Sequence, residues 1–253
     1  MDAQVKVKSL YKCLKILECF SVKTPELGIS EIAQRLDMNK SNVHNMISTL
    51  AVAGYVEKKP GTDLYRLSLK LLEFSYVITS RLEYQAIVMQ TMQRLSNELG
   101  VMVYFGVMHD LDVLYLYNTY PKTMSGEFLV RSLMGEKAPL YCTSLGKAML
   151  SALPVAGIRE RIGTERFRYT PHTLVEESAL LADIEASARR GYAIDNCEHE
   201  IDIRCVAVPV RARSGDLIGG LCVSGPVQRI TDEMIERASS ALIAAAYEIR
   251  SRI

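Results

Sequence analysis

The sequence lacks a long hydrophobic run, a surplus of either charge and a closely spaced cysteine pair. No apolar stretch approaches the roughly 18 residues that span a bilayer, and the N-terminal segment lacks the uninterrupted apolar region of a signal peptide. The six cysteines contain no Cys-x-x-Cys pair, which favours reduced, mostly buried thiols over a disulfide framework. We therefore expect a cytoplasmic protein with no membrane partner.

Charge is balanced over the whole chain but not along it. Thirty Lys and Arg residues oppose twenty-nine Asp and Glu residues, for a formal charge of +1. Residues 1–78 hold eleven basic and eight acidic side chains, and residues 79–253 hold nineteen and twenty-one. With a polar break near residue 80, this predicts a slightly basic domain over 1–78 and a slightly acidic one over 79–253. Any bound nucleic acid would belong to the first domain.

Hydrophobic spacing over residues 1–78 predicts three helices and a short hairpin. Apolar residues repeat at helical spacing between Leu10 and Phe20, and Ser30 is an acceptable N-cap for a short second helix. A third helix is predicted over about 40–53, followed by two short strands around a Pro-Gly turn. This order matches a winged helix-turn-helix, whose second helix of the pair enters the major groove of DNA.

The outward side of the predicted third helix carries donors and acceptors that can address base edges and phosphates. Basic residues in the hairpin could contact phosphate, which positions a domain on DNA without specifying sequence. The alternative is a solvated helix face with no nucleic-acid role. The candidate DNA-binding residues are Lys40, Ser41, Asn42, His44, Asn45, Ser48, Lys58, Lys59 and Arg66.

Residues 79–253 mix helical and β periodicity and show no βαβ dinucleotide pattern. Gly146-Lys147 does not form a P-loop, because Tyr141 and Ala148 stand where that loop needs Gly and Ser or Thr. We predict an α+β domain without a cofactor. The predicted elements are a helix ending at Gly100, strands over 101–108, 113–117 and 128–133, helices over 144–150 and 180–190, a hairpin of 205–211 with 217–224, and a final helix capped by Thr231.

Several separate blocks, in order, resemble the IclR family of bacterial transcription regulators. They cover residues 9–59, "YRLSLKLLEF" at 65–74, "PLYCTSLGKAMLSALP" at 139–154, "RGYAIDNCEHEIDIRCVAVPV" at 190–210 and "VSGPVQRIT" at 223–231. The resemblance implies a winged helix, a linking helix and a GAF-like α+β effector-binding domain. The chain departs from the family pattern at Tyr141, Cys142 and Asp202, where the family usually carries His, often Ala, and Gly.

The resemblance also implies partners. They are a pseudopalindromic double-stranded DNA operator, further copies of the chain in a dimer or a dimer of dimers, and a small-molecule effector. Apolar residues of the first and linking helices would form the contact between copies. The sign of regulation, repressor or activator, stays open.

The effector is expected to be a carboxylate, held at a helix N-terminus by the backbone amides of Ser144 and Leu145. The residues that the resemblance assigns to the effector pocket are Ser144, Leu145, Asp195, Ile203, Cys205, Cys222 and Ser224. If Tyr104, Tyr115, Tyr117 and Met134 lie nearby, the pocket would favour an aromatic or otherwise apolar acid.

Two alternatives from other functional classes are open at the level of sequence. Cys205 or Cys142 could be the nucleophile of an enzyme, with His199 as a base near Cys205. The loop over 195–202 is rich in potential ligands and could hold Zn²⁺ beside Cys205, although its spacing repeats no known metal signature. The alternative without a chemical role is that Cys205 and Cys222 are small apolar residues buried in the core.

Overall fold

A computed structural model describes residues 5–123 and 134–253, so the strand predicted over 128–133 lies outside the described residues. The chain divides into two compact units, Met1–Leu82 and Glu83–Ile253. Each combines helices with antiparallel sheet, as predicted for an α+β protein. Within the described ranges, no helix has the length and hydrophobicity that crossing a membrane requires.

The first unit contains a helical cluster and a small antiparallel sheet with strand order β1-β3-β2. Its elements are α1 (Lys8–Glu18), β1 (Glu26–Gly28), α2 (Ile29–Arg35), α3 (Lys40–Val52), β2 (Val56–Lys58), β3 (Leu64–Leu67) and α4 (Lys70–Thr79). The predicted third helix and hairpin are confirmed, whereas β1 was missed. The predicted N-cap at Ser30 is wrong: the N-cap is Gly28, two residues earlier, and the Gly28 N–H donates to the Glu31 carboxylate at 2.9 Å.

The core of the first unit lies between its helices and its sheet. Ile16 of α1, Ile32 of α2 and Ile47 of α3 are fully buried there. The buried positions of α3 recur at helical spacing, so its opposite side faces solvent. Helix α4 has no buried residue at all.

The second unit is built on an antiparallel sheet with strand order β6-β5-β4-β9-β8-β7. Its elements are α5 (Gln85–Leu99), β4 (Met102–His109), β5 (Asp112–Thr119), β6 (Lys137–Pro139), α6 (Ser144–Leu150), α7 (Val155–Ile162), α8 (Glu177–Arg190), β7 (Ala193–Asn196), β8 (Ile203–Arg211), β9 (Leu217–Pro226) and α9 (Asp232–Arg252). The sequence missed β6, α7 and β7. It identified the cap of α9, where Thr231 Oγ1 accepts the Met234 N–H at 3.2 Å.

Helices cover both faces of this sheet, and side chains alternate between the two layers. On one face Phe105 and Val206 pack with α5 and α9. On the other, Cys205 and Cys222 face α6 and its neighbours. The second face therefore carries the polar and thiol side chains that the sequence singled out.

Candidate functional site

The exposed side of α3 presents the polar residues predicted to contact DNA. Val43, Ile47 and Leu50 point into the core. Lys40, Ser41, Asn42, His44 and Asn45 are exposed, and Ser48 is half-buried. A continuous polar surface thus lies along the N-terminal part of α3.

The hairpin cations are ion-paired on the protein itself. Lys58 Nζ lies 2.8 Å from Asp63, and both side chains are exposed. Such pairs contribute little stability, so a phosphate can replace Asp63. Arg66 pairs with Glu57 in the same exposed setting, at 2.6 Å.

Lys59 is held more firmly. Its Nζ lies 2.8 Å from Glu26, whose side chain is only 26% exposed, so Lys59 ties the hairpin to β1.

The second unit contains a cavity of about 440 Å³ on the sheet face that carries Cys205 and Cys222. Strands of the sheet form one wall, and the start of α6 and the loop after β7 form others. Its lining residues are Met102, Tyr104, Tyr115, Thr143, Ser144, Asp195, His199, Glu200, Ile203, Cys205, Cys222, Ser224, Gly225, Pro226 and Arg229. A space of this size suits a small organic molecule.

Six of the seven predicted effector residues line this cavity: Ser144, Asp195, Ile203, Cys205, Cys222 and Ser224. Leu145 does not, because its side chain is 1% exposed and packs in the core. Only its backbone could act on a ligand.

The expectation about the aromatic lining holds for Tyr104 and Tyr115 and fails for Tyr117. The pairing of β4 with β5 shifts register between Phe105 and Gly106, which pair with Tyr117 and Tyr115. This bulge turns Tyr117 to the opposite face of the sheet, where it stacks on Phe105. Met134 also lies outside the lining. Residue spacing alone cannot reveal such a bulge.

Thiols and hydroxyls form hydrogen bonds along the cavity wall. Cys205 Sγ donates to Ser224 Oγ at 3.0 Å, across the β8–β9 pair. Ser144 Oγ and Cys222 Sγ lie 3.3 Å apart. Hydrogen bonding with Cys222 and burial raise the pKa of the Cys205 thiol well above its ordinary value.

Neither alternative from another functional class gains support from this geometry. Burial also raises the pKa of the Cys142 thiol, whereas a nucleophilic cysteine needs a lowered pKa. For zinc, the described part of the chain contains no group of three or more His, Cys, Asp or Glu residues that could hold a metal ion.

Asp195 places a carboxyl group in the cavity wall, and the residue is only 3% exposed. It accepts the Glu198 N–H at 2.7 Å. Burial raises the pKa of Asp195 to about 7. Burial also raises the pKa of Tyr115, whose hydroxyl therefore stays neutral.

A buried lysine behind the cavity holds the loop that follows β7. Lys147 is 1% exposed, and its Nζ lies 2.5 Å from Glu198 and 2.7 Å from Asp183. Burial alone would lower the pKa of Lys147, but these two carboxylates outweigh it and raise the pKa above its ordinary value. The Thr173 hydroxyl adds a hydrogen bond to the Glu198 carbonyl at 2.6 Å. The loop is thus tied to α6 and α8.

Sequence patterns bring up Lys147 only as part of a possible P-loop and do not predict its ion pairs with Glu198 and Asp183. Its pairing with residues 36 and 51 positions away leaves no local signal. Asp202, the departure from the family's glycine, adopts the left-handed conformation with φ +63°, which glycine reaches without strain. Asp202 therefore adopts a backbone conformation that glycine favours, although it is not glycine.

The N-terminus of α6 is partly occupied by the protein itself. Thr143 Oγ1 accepts the Gly146 N–H at 3.1 Å, so that donor is not free for a ligand. Arg229, which the sequence did not single out, lines the cavity and is exposed. Among the described residues, no side chain pairs with its guanidinium.

Family models match both parts of the chain. The model described as "Bacterial transcriptional regulator IclR C-terminal" matches residues 77–251, and the one described as "IclR helix-turn-helix domain" matches residues 9–60. Among curated proteins, the HTH-type transcriptional regulator KdgR of Escherichia coli (strain K12) is 30% identical over 253 residues, covering 98% of this chain and 93% of KdgR.

Solved structures share the fold over almost the full length. An IclR transcriptional regulator from Alicyclobacillus acidocaldarius matches with a TM-score of 0.82 at 22% identity, covering 98% of this chain and 99% of that one. An IclR homolog from Microbacterium hydrocarbonoxydans, complexed with 4-hydroxybenzoate, matches with a TM-score of 0.78 at 23% identity, covering 96% and 98%.

Proposed function

The chain belongs to the IclR family of bacterial transcriptional regulators, and from this premise we propose how its parts divide the work. Residues 1–78 bind a pseudopalindromic double-stranded operator, and residues 79–253 bind a small carboxylate effector that modulates operator binding. The observation that supports DNA binding is the two-sided character of α3. Its exposed side is polar, and its buried side consists of the apolar residues Val43, Ile47 and Leu50. The protein acts in the cytoplasm as a regulator and not as an enzyme.

Base and phosphate contacts are assigned to different residues of the first unit. Asn42 and Asn45 suit bidentate hydrogen bonding to adenine in the major groove. Lys40, Lys58 and Arg66 supply positive charge for phosphates. Because Lys59 is engaged with Glu26, we assign it mainly to holding the hairpin in place.

We expect Asn45→Ala and Lys58→Ala to weaken DNA binding in different ways. Asn45→Ala should lose about 1–3 kcal/mol at the specific site and relax discrimination at one base pair. Lys58→Ala should weaken all sequences alike and reduce the salt slope by about 1. Titrations of operator and unrelated DNA at several salt concentrations measure both effects.

The matched control is Lys137→Ala, which removes an exposed lysine from the second unit. It should leave both slope and discrimination unchanged. Equal binding by all three variants and the unaltered protein would show that the DNA contacts lie elsewhere.

A second copy of the chain is proposed to cover the apolar faces of α1 and α4. Leu10 and Leu14 on α1, and Leu72 and Tyr76 on α4, expose 49% to 74% of their surface. Within each helix the two residues are four positions apart and therefore lie on one face, and such exposed apolar faces mark an interaction surface. Two winged helices on two half-sites also bind DNA far more tightly than one.

The double change Leu72→Glu and Tyr76→Glu should shift the protein towards monomers, because the interface would then bury charges. Sedimentation velocity measures the change. Leu111→Glu, at another exposed leucine, should leave the oligomer intact. If the double variant sediments like the unaltered protein, α4 is not the interface.

The carboxylate effector is inferred from the charge and size of the cavity. Arg229 gives it a cation without a protein partner among the described residues, and the volume of about 440 Å³ suits a small acid. An IclR homolog of the same fold is complexed with 4-hydroxybenzoate, which is such an acid. To act as an effector, the acid must bind one arrangement of the protein better than another.

A further inference from the structure

We propose that the effector is a hydroxy acid that binds with its carboxylate at Arg229 and a hydroxyl group at Asp195. This inference rests on the proposed effector-binding function and adds the orientation and chemical class of the ligand. It reverses the expectation that the carboxylate lies at the start of α6. One cavity carries two charged side chains without an ion-pair partner among the described residues, Asp195 and Arg229, and they differ in burial.

Asp195 and Arg229 lie at different depths of the cavity. Asp195 is 3% exposed, on β7, where it pairs with Cys205 of β8. Arg229 is an exposed residue in the turn between β9 and α9. Within the described ranges the two form no ion pair with each other, nor with any other side chain. The cavity therefore has a buried carboxyl group at Asp195, whereas its exposed side carries the guanidinium of Arg229 together with the carboxylate of Glu200, which lies beside His199.

A ligand carboxylate is disfavoured beside Asp195. The nearby cation, Lys147, already holds Asp183 and Glu198. A further carboxylate beside Asp195 would place two like charges in a medium of low dielectric constant. On the exposed side, by contrast, Arg229 offers a planar guanidinium suited to bidentate carboxylate binding.

A hydroxyl group fits beside Asp195. Asp195 accepts hydrogen bonds from the backbone of Glu198 and His199, and a carboxylate has about four acceptor positions, so it can accept a further one. A ligand hydroxyl that donates to it forms a charge-assisted bond. Met102, Tyr104 and Ile203 add apolar lining to the same cavity, which suits a short carbon chain or a ring.

The two possible orientations differ in the sign of their pH dependence. Burial raises the pKa of Asp195 to about 7. A hydroxyl that donates to the carboxylate favours its charged form, so binding releases protons and weakens as pH falls from 8 to 6. A carboxylate placed beside Asp195 would favour the protonated form, so binding would strengthen as pH falls.

Other titratable groups lie on the elements packed against Asp195. They are Asp183 on α8, Lys147 on α6, Cys142 before α6, Cys205 on β8, Tyr115 on β5, and Glu198, His199 and Glu200 in the following loop. Burial raises the pKa of Tyr115 and lowers the pKa of His199, so both stay neutral between pH 7 and 8. The variant Asp195→Asn removes this carboxyl group alone, so it shows whether the pH dependence of binding comes from Asp195 or from one of the other groups.

The test is calorimetric titration of the full chain with matched probes. The probes are 4-hydroxybenzoate and 3-hydroxybutyrate. Each is compared with the acid that lacks only the hydroxyl group, benzoate or butyrate. Each is also compared with the amide that keeps the hydroxyl group, 4-hydroxybenzamide or 3-hydroxybutyramide. We expect at least one hydroxy acid to bind about tenfold or more tightly than both of its analogues. Arg229→Gln should remove the preference for acid over amide, and Asp195→Asn should remove both the preference for the hydroxyl and the pH dependence.

The control variant is Arg189→Gln, which changes an exposed arginine of α8 and should leave every affinity unchanged. The proposal is overturned if Arg229→Gln keeps the preference for acid, if affinity rises as pH falls, or if no hydroxy acid binds. Operator binding is measured in parallel. If the unaltered protein retains specific DNA but binds no hydroxy acid, only this inference is overturned. If the unaltered protein retains no specific DNA, the proposed function is overturned.

Discussion

Replacing Lys147 with methionine should lower the free energy of unfolding by about 3–5 kcal/mol. The lysine is 1% exposed and pairs with two carboxylates, of which Glu198 is also buried. Removing the cation leaves the buried Glu198 carboxylate without its ion-pair partner, whereas the partly exposed Asp183 keeps Arg190 at 3.9 Å. The desolvation penalty of Glu198 that the ion pair had offset then acts in full. Urea unfolding at pH 7 measures the loss.

The exposed pair between Arg189 and Glu185 on α8 is the matched control. Both side chains are more than half exposed, so Arg189→Met should change stability by no more than about 0.5 kcal/mol. Adding Glu198→Gln to Lys147→Met should recover part of the loss, because one buried charge disappears with it. A Lys147→Met protein as stable as the Arg189→Met protein would show that the buried network does not stabilise the second unit.

The loop around Glu198 should respond to the same change. Glu198 is part of the loop that supplies His199 and Glu200 to the cavity wall, so freeing Glu198 from Lys147 should speed hydrogen exchange over residues 197–202. Unchanged exchange over β8 and β9, in the core of the second unit, checks that this unit remains folded. Faster exchange confined to the loop would place the role of Lys147 at the cavity.

Gly146→Ala should destabilise the protein by about 3 kcal/mol, the upper part of the usual range for overpacking. A Cβ atom at Gly146 would lie closer than 3 Å to the backbone oxygen, Cα and carbonyl carbon of Leu140. Backbone atoms cannot turn away as a side chain can. The start of α6 would have to move off the segment before it, and Ser144 would move with it away from the cavity wall.

Gly157→Ala on α7 is a suitable control, because an added Cβ there meets Leu153 and Pro154 only at ordinary contact distances of 3.7–3.8 Å. Since alanine favours a helix by up to about 1 kcal/mol over glycine, this variant should be neutral or slightly stabilised. Thermal unfolding compares the two. Equal melting temperatures for both variants would mean that α6 can shift without loss.

Local patterns in the sequence predicted most of the elements. The helix over 144–150 has the bounds of α6, and Gly100 and Gly191 end α5 and α8 in the left-handed conformation. These features depend on neighbouring residues, so local spacing and capping chemistry suffice. The short elements β1, β6 and β7 form through pairing with distant strands, and a stretch of three or four residues carries too little periodicity to show them.

The candidate sites also divide into features that neighbouring residues determine and features that depend on distant contacts. The polar side of α3 follows from helical spacing alone, and the resemblance supplied six of the residues that line the cavity. Arg229 and the pairing of Lys147 with Glu198 depend on how separate elements meet in three dimensions. The bulge that turns Tyr117 away from Tyr115 likewise depends on the register between β4 and β5.

Operator binding under effector control is tested by selecting genomic fragments with the purified protein and footprinting them with and without hydroxy acids. We expect a protected pseudopalindrome, retained at physiological salt, whose protection changes when one hydroxy acid is added. Retention of no specific fragment, even at low salt where any basic surface holds DNA, would contradict the assignment of the first unit to operator binding.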